Sequence, residues 1–325
     1  MAVPDLPYKT EASLKKIAHI IVLLMTAVLT VAGAEPEKFI PSQTPALVRI
    51  DMNRMVSSPA LNTAIEQHDT LKSLLDQVSE MFKDSTGKKI RSSDIFSSQL
   101  WIAQTGSNSR EVTLYSQTAV PEADLQALAR RNSTCKIANA AGRKVYVSHQ
   151  SGNSVAVTYL AEDVLMISRW SEHLAQEITA SLQSGGNPLL ANIDRKDLVA
   201  FAADMTAATG KRKPKIKFIC GKMNLTKTQD LSGVVQLHCK NSKEAMKQAM
   251  KVQFVVPGFI GMFFSKDEKL AAALSESLQI MPQENVITIT CDLKSDTIQA
   301  LTAYISNPEN LPRLPANRKV GNAGN

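Results

Sequence analysis

Ser85 and Lys88 have the residue types and the spacing of a serine nucleophile and its base. Some serine acyl-transfer enzymes use this Ser-x-x-Lys pair, which needs both side chains one helical turn apart inside a pocket. Here Gly87 lies between them and Lys89 follows, a combination typical of a helix end and a turn. The companion Ser-Asp-Asn and Lys-Thr-Gly sequences do not occur. We therefore assign no catalytic role to this pair.

The histidines give no stronger signal. After residue 34 they are His68, His149, His173 and His238, and none has the His-Glu-x-x-His spacing of a zinc protease. His238 adjoins Cys239, but neighbours in a strand point to opposite faces of a sheet, so the two do not suit a nucleophile–base pair. No spacing of carboxylates or cysteines indicates a metal site. We expect no catalytic residue, no metal and no cofactor.

Two of the four cysteines are candidates for a disulfide. Residues 216–226 and 232–240 have the alternation of two strands joined by a turn near Thr228-Gln229-Asp230. A hairpin centred on that turn places Cys220 opposite Cys239, and cross-strand Cβ atoms about 4.5–5.5 Å apart are close to disulfide range. The alternative is two buried thiols that pack as small apolar side chains.

The densest positive charge is the segment formed by Lys211, Arg212, Lys213, Lys215 and Lys217. In an exported chain such a loop could contact anionic lipid head groups. The alternative is a loop that is simply solvated, as most charge runs are.

The most apolar run beyond residue 34 is Val252–Phe264. It is too short to span a bilayer, which takes about 17–25 apolar residues, and Pro257 predicts a kink or an end in its helix. Its large side chains would form an interaction surface or a membrane-dipping element if exposed, and the core of the second half if buried. The candidate contact residues are Phe254, Phe259, Ile260 and Phe263.

The elements that would position these residues alternate between strands and helices. An extended lead at 35–45 precedes a strand at Ala46–Met52, and hairpins are predicted at 98–104 with 111–117 and at 216–226 with 232–240. Further strands are predicted at Cys135–Ala138, Lys144–His149, Ser154–Leu160, Asp163–Ser168 and Val286–Asp292. Spacings of three and four predict helices after Pro59 and Pro121, from Ser171 and Ser242, at Lys266–Ile280 and at Ser295–Ile305.

The second half of the chain repeats the order of elements of the first. The strand before Asp204-Met205 resembles the one before Asp51-Met52, and the helix from Ser242 matches the one after Pro121. The fold class predicted is α+β, with two related lobes, each an antiparallel sheet with helices packed on one face. The lobes are placed at 46–186 and 187–305, with a break at 185–188 and a disordered tail at 306–325. The alternative is two unrelated lobes with a similar rhythm.

Ile17–Ala34 has the features of a secretory signal peptide. Three lysines precede the apolar run and Ala32-Gly33-Ala34 ends it, as a cleavage site requires. The alternative is an N-terminal membrane anchor. The three lysines and two acids of residues 1–34 carry one of the seven net positive charges, so the remaining chain keeps +6. That excess favours an anionic partner.

This order of elements behind an export signal resembles exported bacterial proteins of unknown function built from tandem α+β units. The likeness covers most of Pro45–Ile305, and it implies the fold without implying an activity. We expect an exported, non-catalytic binding or structural module of the cell envelope, whose partner is an envelope protein or an anionic membrane surface rather than nucleic acid. The alternatives are a hydrolytic enzyme with an unidentified nucleophile and a carrier of an apolar ligand.

Overall fold

The computed structural model describes residues 35–58, 98–105, 112–131, 135–150, 153–209, 214–226, 228–307 and 310. The strands are β1 (Ala46–Asp51), β2 (Gln99–Gln104), β3 (Val112–Gln117), β4 (Cys135–Ala140), β5 (Arg143–Gln150), β6 (Asn153–Ala161), β7 (Val164–Arg169), β8 (Val199–Asp204), β9 (Ile216–Leu225), β10 (Leu231–Cys239), β11 (Leu278–Gln283) and β12 (Val286–Leu293). The helices are α1 (Met52–Val56), α2 (Glu122–Arg131), α3 (Leu174–Leu182), α4 (Met205–Thr209), α5 (Ser242–Phe263), α6 (Glu268–Glu276) and α7 (Ser295–Ser306). Short 3₁₀ helices, Pro36–Phe39 and Pro188–Asn192, precede β1 and β8.

All twelve strands lie in one antiparallel sheet, in the order β11-β12-β10-β9-β8-β1-β2-β3-β7-β6-β5-β4. The predicted α+β class and both predicted hairpins are therefore confirmed. The strands predicted in two separate sheets instead form one, because β1 and β8 pair with each other along Ala46–Ile50 and Val199–Ala203. This pairing satisfies two edges that two separate sheets would leave open.

The first five strands on each side of the sheet, counted outward from β1 and from β8, follow the same order. One side runs β1-β2-β3-β7-β6 and continues to β5 and β4, and the other runs β8-β9-β10-β12-β11. Both central strands end in an Asp-Met pair that starts a short helix. The Asp51 carboxylate accepts a hydrogen bond from the Arg54 N–H at 3.1 Å, and the Asp204 carboxylate accepts one from the Thr206 N–H at 2.7 Å. Capping of this kind satisfies amides that the first helical turn leaves unpaired.

The sheet has an apolar core on each face. One core contains Leu125 of α2, Ala245 of α5, Leu270 of α6 and Ile298 of α7. The other contains Leu174 and Ile178 of α3, with side chains from the segments around both 3₁₀ helices. Alternate side chains of the central strands enter opposite cores, since successive strand residues point to opposite faces. In β1, Leu47 belongs to one core and Ile50 to the other.

Arg49 is the largest charged side chain in the interior, with 1% of its surface exposed. Its Nη1 donates to the backbone oxygen of Asp197 at 2.6 Å, and its Nη2 lies 3.7 Å from the Asp51 carboxylate. The Asp197 carboxylate in turn accepts from the Asn224 amide at 2.6 Å. Burial lowers the pKa of Arg49, while the carboxylates of Asp51, Glu37 and Asp197 oppose that shift. The network ties β1 to the start of β8.

Two local predictions are wrong. The helix predicted at Lys266–Ile280 ends at Glu276, and the chain then forms the edge strand β11, paired with β12. The lead at 35–45 is not wholly extended, because Pro36 begins a 3₁₀ turn and is itself buried. The predicted signal peptide at 1–34 and most of the predicted tail at 306–325 lie outside the described residues.

Candidate functional site

The apolar run predicted from the sequence lies within α5, a 22-residue helix with Pro257 inside it. The helix begins where the Asn241 side chain accepts from the Glu244 N–H at 2.9 Å. Its inward face is lined by small residues, since Ala245 and Ala249 are 0% and 1% exposed. Small side chains let the helix approach the sheet, where it packs beside β11, β12 and α6.

The outward face of α5 carries large apolar side chains in contact with solvent. Met246, Met250 and Phe254 follow one another at four-residue steps, and their exposed fractions are 49%, 53% and 82%. Met262, nearer the end of the helix, is 55% exposed. Residues four apart are neighbours on a helix surface, and each such step turns by about 40°, so these side chains follow a row that winds around the outward side of α5. We call these four side chains the α5 apolar face.

Lysines form a second line beside it. Lys243, Lys247 and Lys251 are all exposed and lie one position away from the methionine line. From Val252 to Phe264 no residue is charged. The outward surface of α5 is thus basic and apolar in its first half and purely uncharged in its second half.

The second half of α5 is held by contacts from neighbouring elements. The Gln253 amide donates to the backbone oxygen of Ile280 on the edge strand β11 at 3.2 Å. The Tyr304 hydroxyl donates to the backbone oxygen of Phe263 at 3.0 Å, and the Tyr304 ring lies 5.0 Å from that of Phe264. These contacts fix the helix on both sides of Pro257, which provides no backbone N–H to the helix.

Of the four predicted apolar contact residues, only Phe254 is largely exposed to solvent. Phe259, Ile260 and Phe263 are half-buried. The interpretation of the whole run as core is therefore wrong for Phe254 and Met262. Sequence analysis missed Met246 and Met250 as surface residues, although their spacing with Phe254 was available as a signal.

The structure brings the described part of the basic segment beside the start of α5. Lys215 and Lys217 are exposed, while the remaining three basic residues at 211–213 lie outside the described residues. The Lys215 ammonium is 4.0 Å from the Glu244 carboxylate of α5. The Lys240 N–H donates to the Lys215 oxygen at 3.3 Å. Two features that are some forty residues apart in sequence thus form one surface.

The predicted cysteine register is wrong. Leu225 pairs with Leu231, so a five-residue loop at 226–230 joins the strands, and Cys220 lies opposite Gln236 rather than Cys239. Cys239 belongs to the core that contains α5, whereas Cys220 packs against the core on the other face. All four cysteines are free thiols. Burial raises the pKa of both Cys220 and Cys239, and the Glu244 carboxylate adds to the shift at Cys239.

The same register brings Cys220 near a histidine that sequence analysis had considered only beside Cys239. The Cys220 Sγ lies 3.9 Å from His238 Nε2 and 3.7 Å from the Gln236 side-chain oxygen. The His238 ring also meets the edge of Phe218 at 5.4 Å. A nucleophilic cysteine needs a lowered pKa, whereas burial raises that of Cys220. The geometry fits a hydrogen-bonded thiol in a partly covered sheet face.

The other sequence candidates do not add a site. Ser85, Lys88 and His68 lie outside the described residues. Within the part of the chain that the structure describes, no three His, Cys, Asp or Glu side chains converge as metal ligands would. A shallow hollow on the outer surface of α3, lined by Ala175, Gln176 and Thr179 among others, has no titratable side chain.

Comparisons with known proteins leave the family open. No protein-family model matches the chain. No curated protein matches it either. Among solved structures, the crystal form I structure of TP0453 is similar with a TM-score of 0.45 and 12% sequence identity, covering 86% of this chain and 99% of that one. None of the helices in the described ranges is long and apolar enough to cross a membrane.

Proposed function

We propose that the chain is an exported, non-catalytic binding or structural module of the cell envelope, and that the α5 apolar face is its contact surface. Export rests on the features of Ile17–Ala34, with cleavage near Ala34. The observation that carries the contact surface is the 82% exposure of Phe254 at the centre of a line of exposed methionines. Contiguous exposed apolar surface on a folded domain marks interaction sites.

The first half of the fold provides an internal comparison for α5. Helix α2 follows β3 as α5 follows β10, and both helices pack on the same face of the sheet. Among the α2 positions whose exposure is described, the exposed ones are Ala123, Asp124, Ala127, Arg130 and Arg131. At these positions the fold accommodates small and charged side chains, which favours a role other than folding for the large apolar side chains exposed on α5. A binding role accounts for them.

We also propose that the two halves are related by duplication, which is the finer part of the predicted fold. The shared strand order, the 3₁₀ helix before β1 and before β8, and the Asp-Met capping pairs at Asp51 and Asp204 support this. The halves have also diverged. Helix α3, after β7, packs on one face of the sheet, and α7, after β12, packs on the other.

The proposal is tested by where the protein resides in its host. Fractionation of the native host, with mass determination, should find the protein in the envelope fraction with its first residue at Glu35. Replacing Met250 and Phe254 together by serine should release most of it from the envelope fraction into the soluble fraction, because both side chains are exposed and neither supports the core. Met281→Ser is the matched control, since Met281 is 53% exposed but lies on the edge strand β11. Unchanged retention of the double variant would refute the contact surface.

A further inference from the structure

The charge pattern around the α5 apolar face restricts its partner. Lys243, Lys247 and Lys251 line the first half of the helix, and Lys266 and Lys269 follow its end. All five are exposed, so an uncharged stretch of one helix lies between two groups of cations. A complementary partner must offer an apolar interior beneath a layer of negative charge.

Three acidic residues, Glu244, Asp267 and Glu268, lie near these lysines in the sequence. The Glu244 carboxylate already faces the Lys215 ammonium at 4.0 Å. The Asp267 carboxylate accepts from the Leu270 N–H at 2.9 Å, where it caps α6. Glu268 is the remaining exposed carboxylate between the end of α5 and Lys269. Lys215 and Lys217, which are exposed, add positive charge near the start of the helix.

The side chains on this face suit a fluid partner better than a shaped protein groove. Methionine is flexible and adapts to irregular apolar surroundings, and lysine can lie along an apolar surface while its ammonium stays in water. Interfacial helices combine an apolar face with lysines and lie in the plane of the membrane, buried about 5–10 Å into the boundary between head groups and acyl chains. Helix α5 has this combination on the side that faces away from its own core.

The composition of the second half of α5 fits the same setting. Pro257, Gly258 and Gly261 are exposed, and a Cβ added at either glycine would have no heavy atom within 4 Å. Neither packing nor helix propensity therefore accounts for these residues, because proline and glycine disfavour a helix in water. They leave the outer surface of α5 low on the C-terminal side of Phe254, whose side chain is 82% exposed.

We infer that α5 docks the protein on anionic lipid bilayers. Lysines of its first half contact head-group phosphates, and Phe254 and Met262 enter the apolar boundary. This inference rests on the proposed function, because it assigns a partner to the same contact surface. It adds that the partner is lipid rather than an envelope protein.

The test uses protein purified from its host in the form that accumulates there, with vesicles of phosphatidylcholine alone or with a quarter phosphatidylglycerol. We expect wild-type protein to bind the anionic vesicles at least tenfold more strongly than the neutral ones, and raising salt from 0.1 M to 0.5 M to remove most of that preference. Changing Lys243, Lys247 and Lys251 together to glutamine should abolish the preference. Phe254→Ser should lower binding at least tenfold, while Met281→Ser should leave it unchanged.

A local readout separates α5 from any other membrane attachment of the chain. In a Phe254→Trp variant, the added indole should shift to the blue on anionic vesicles and be quenched by lipids brominated on their acyl chains. The wild type, with Trp101 and Trp170 alone, gives the baseline. Circular dichroism and the thermal transition should match wild type in every variant, because the altered side chains are exposed.

The outcomes distinguish the two proposals. Suppose the Met250 and Phe254 double variant leaves the envelope, but the purified protein neither prefers anionic vesicles nor shows quenching at position 254. The lipid inference is then overturned while the contact surface stands, and an envelope protein is the partner. If the double variant stays in the envelope, the contact surface itself falls. A preference for anionic vesicles that persists in the lysine variant, or in the wild type at 0.5 M salt, would also refute the charge-based docking.

Discussion

Gly221 should be intolerant of even one added carbon atom. It lies in β9, opposite Phe201 of β8 and Val235 of β10. A Cβ at this position would lie 2.5 Å from Phe201 Cζ, 2.7 Å from Phe201 Cε1 and 2.7 Å from the backbone oxygen of Val234. The oxygen belongs to the strand ladder, and Phe201 is only 7% exposed, so neither neighbour can move away freely.

The size of the effect follows from these contacts. Overpacking of a filled core costs about 1–3 kcal/mol, and the smaller conformational freedom of alanine in the unfolded chain returns about 0.4–1 kcal/mol. We therefore expect Gly221→Ala to lower the free energy of unfolding by about 1–2 kcal/mol. Urea titration followed by circular dichroism should show a lower midpoint with an unchanged slope.

Gly233→Ala is the matched control on the neighbouring strand. Its Cβ would meet the flexible Met223 side chain at 3.4 Å and no heavy atom more closely, so its effect should stay within about 0.5 kcal/mol. Phe201→Leu should relieve part of the cost of Gly221→Ala, so the two changes together should cost less than their sum. The steric explanation is refuted if Gly221→Ala and Gly233→Ala are equally stable. It is also refuted if the effects of Gly221→Ala and Phe201→Leu simply add.

Four further outcomes are expected. Arg49→Ala should lower the free energy of unfolding by about 3–5 kcal/mol in urea titration, because it leaves the buried backbone oxygen of Asp197 without its donor and the carboxylates of Asp51 and Asp197 without their buried cation, and a cost below about 1 kcal/mol would contradict this. The Lys294 side chain, with other donors, lowers the pKa of Asp230 in the folded protein. The Asp230 carboxylate therefore stabilises the folded state above its unfolded pKa of about 4, and this contribution is lost as the pH falls through the folded pKa. Asp230→Asn should therefore flatten the dependence of stability on pH in that acidic range, measured by urea titration at several pH values. All four cysteines should be alkylated after unfolding without reductant, as mass spectrometry would show, whereas a linked pair of cysteine peptides would contradict the free thiols. Gly258→Ala should raise stability by about 0.5–1 kcal/mol, since helix propensity improves and nothing lies within 4 Å, and a loss of stability would show a contact that the structure lacks.

The strands of this fold could be predicted from the sequence where apolar and polar side chains alternate along the chain. The β9–β10 hairpin is the clearest case, since its predicted limits differ from the observed ones by about one residue. Strand β11 was missed because Leu270, Leu274 and Leu278 continue one helical spacing past the true end of α6. Its strand conformation depends on pairing with β12, which local sequence does not report.

The register of a hairpin is harder to predict than its existence. The predicted alignment of Cys220 with Cys239 differs from the observed one by three residues, because the observed hairpin is centred on Thr228 and the predicted pair would be centred between Gln229 and Asp230. An odd shift moves every partner to the other face of the sheet, which is why one cysteine packs in each core. The same shift creates the contact between Cys220 and His238. No composition or spacing argument distinguishes these alignments.

The exposure of Phe254 also could not be predicted from the sequence, and the proposed function depends on it. A run that is apolar on every side of a helix predicts burial on every side. The sheet, however, covers only the face of α5 that contains Ala245 and Ala249. Leaving Phe254 in water forgoes roughly 1.5–3 kcal/mol of burial free energy, a sizeable part of the stability of an ordinary domain. The small and charged residues exposed on α2 show that the fold does not require large apolar side chains at such positions, which supports the proposed role of the α5 apolar face as a contact surface.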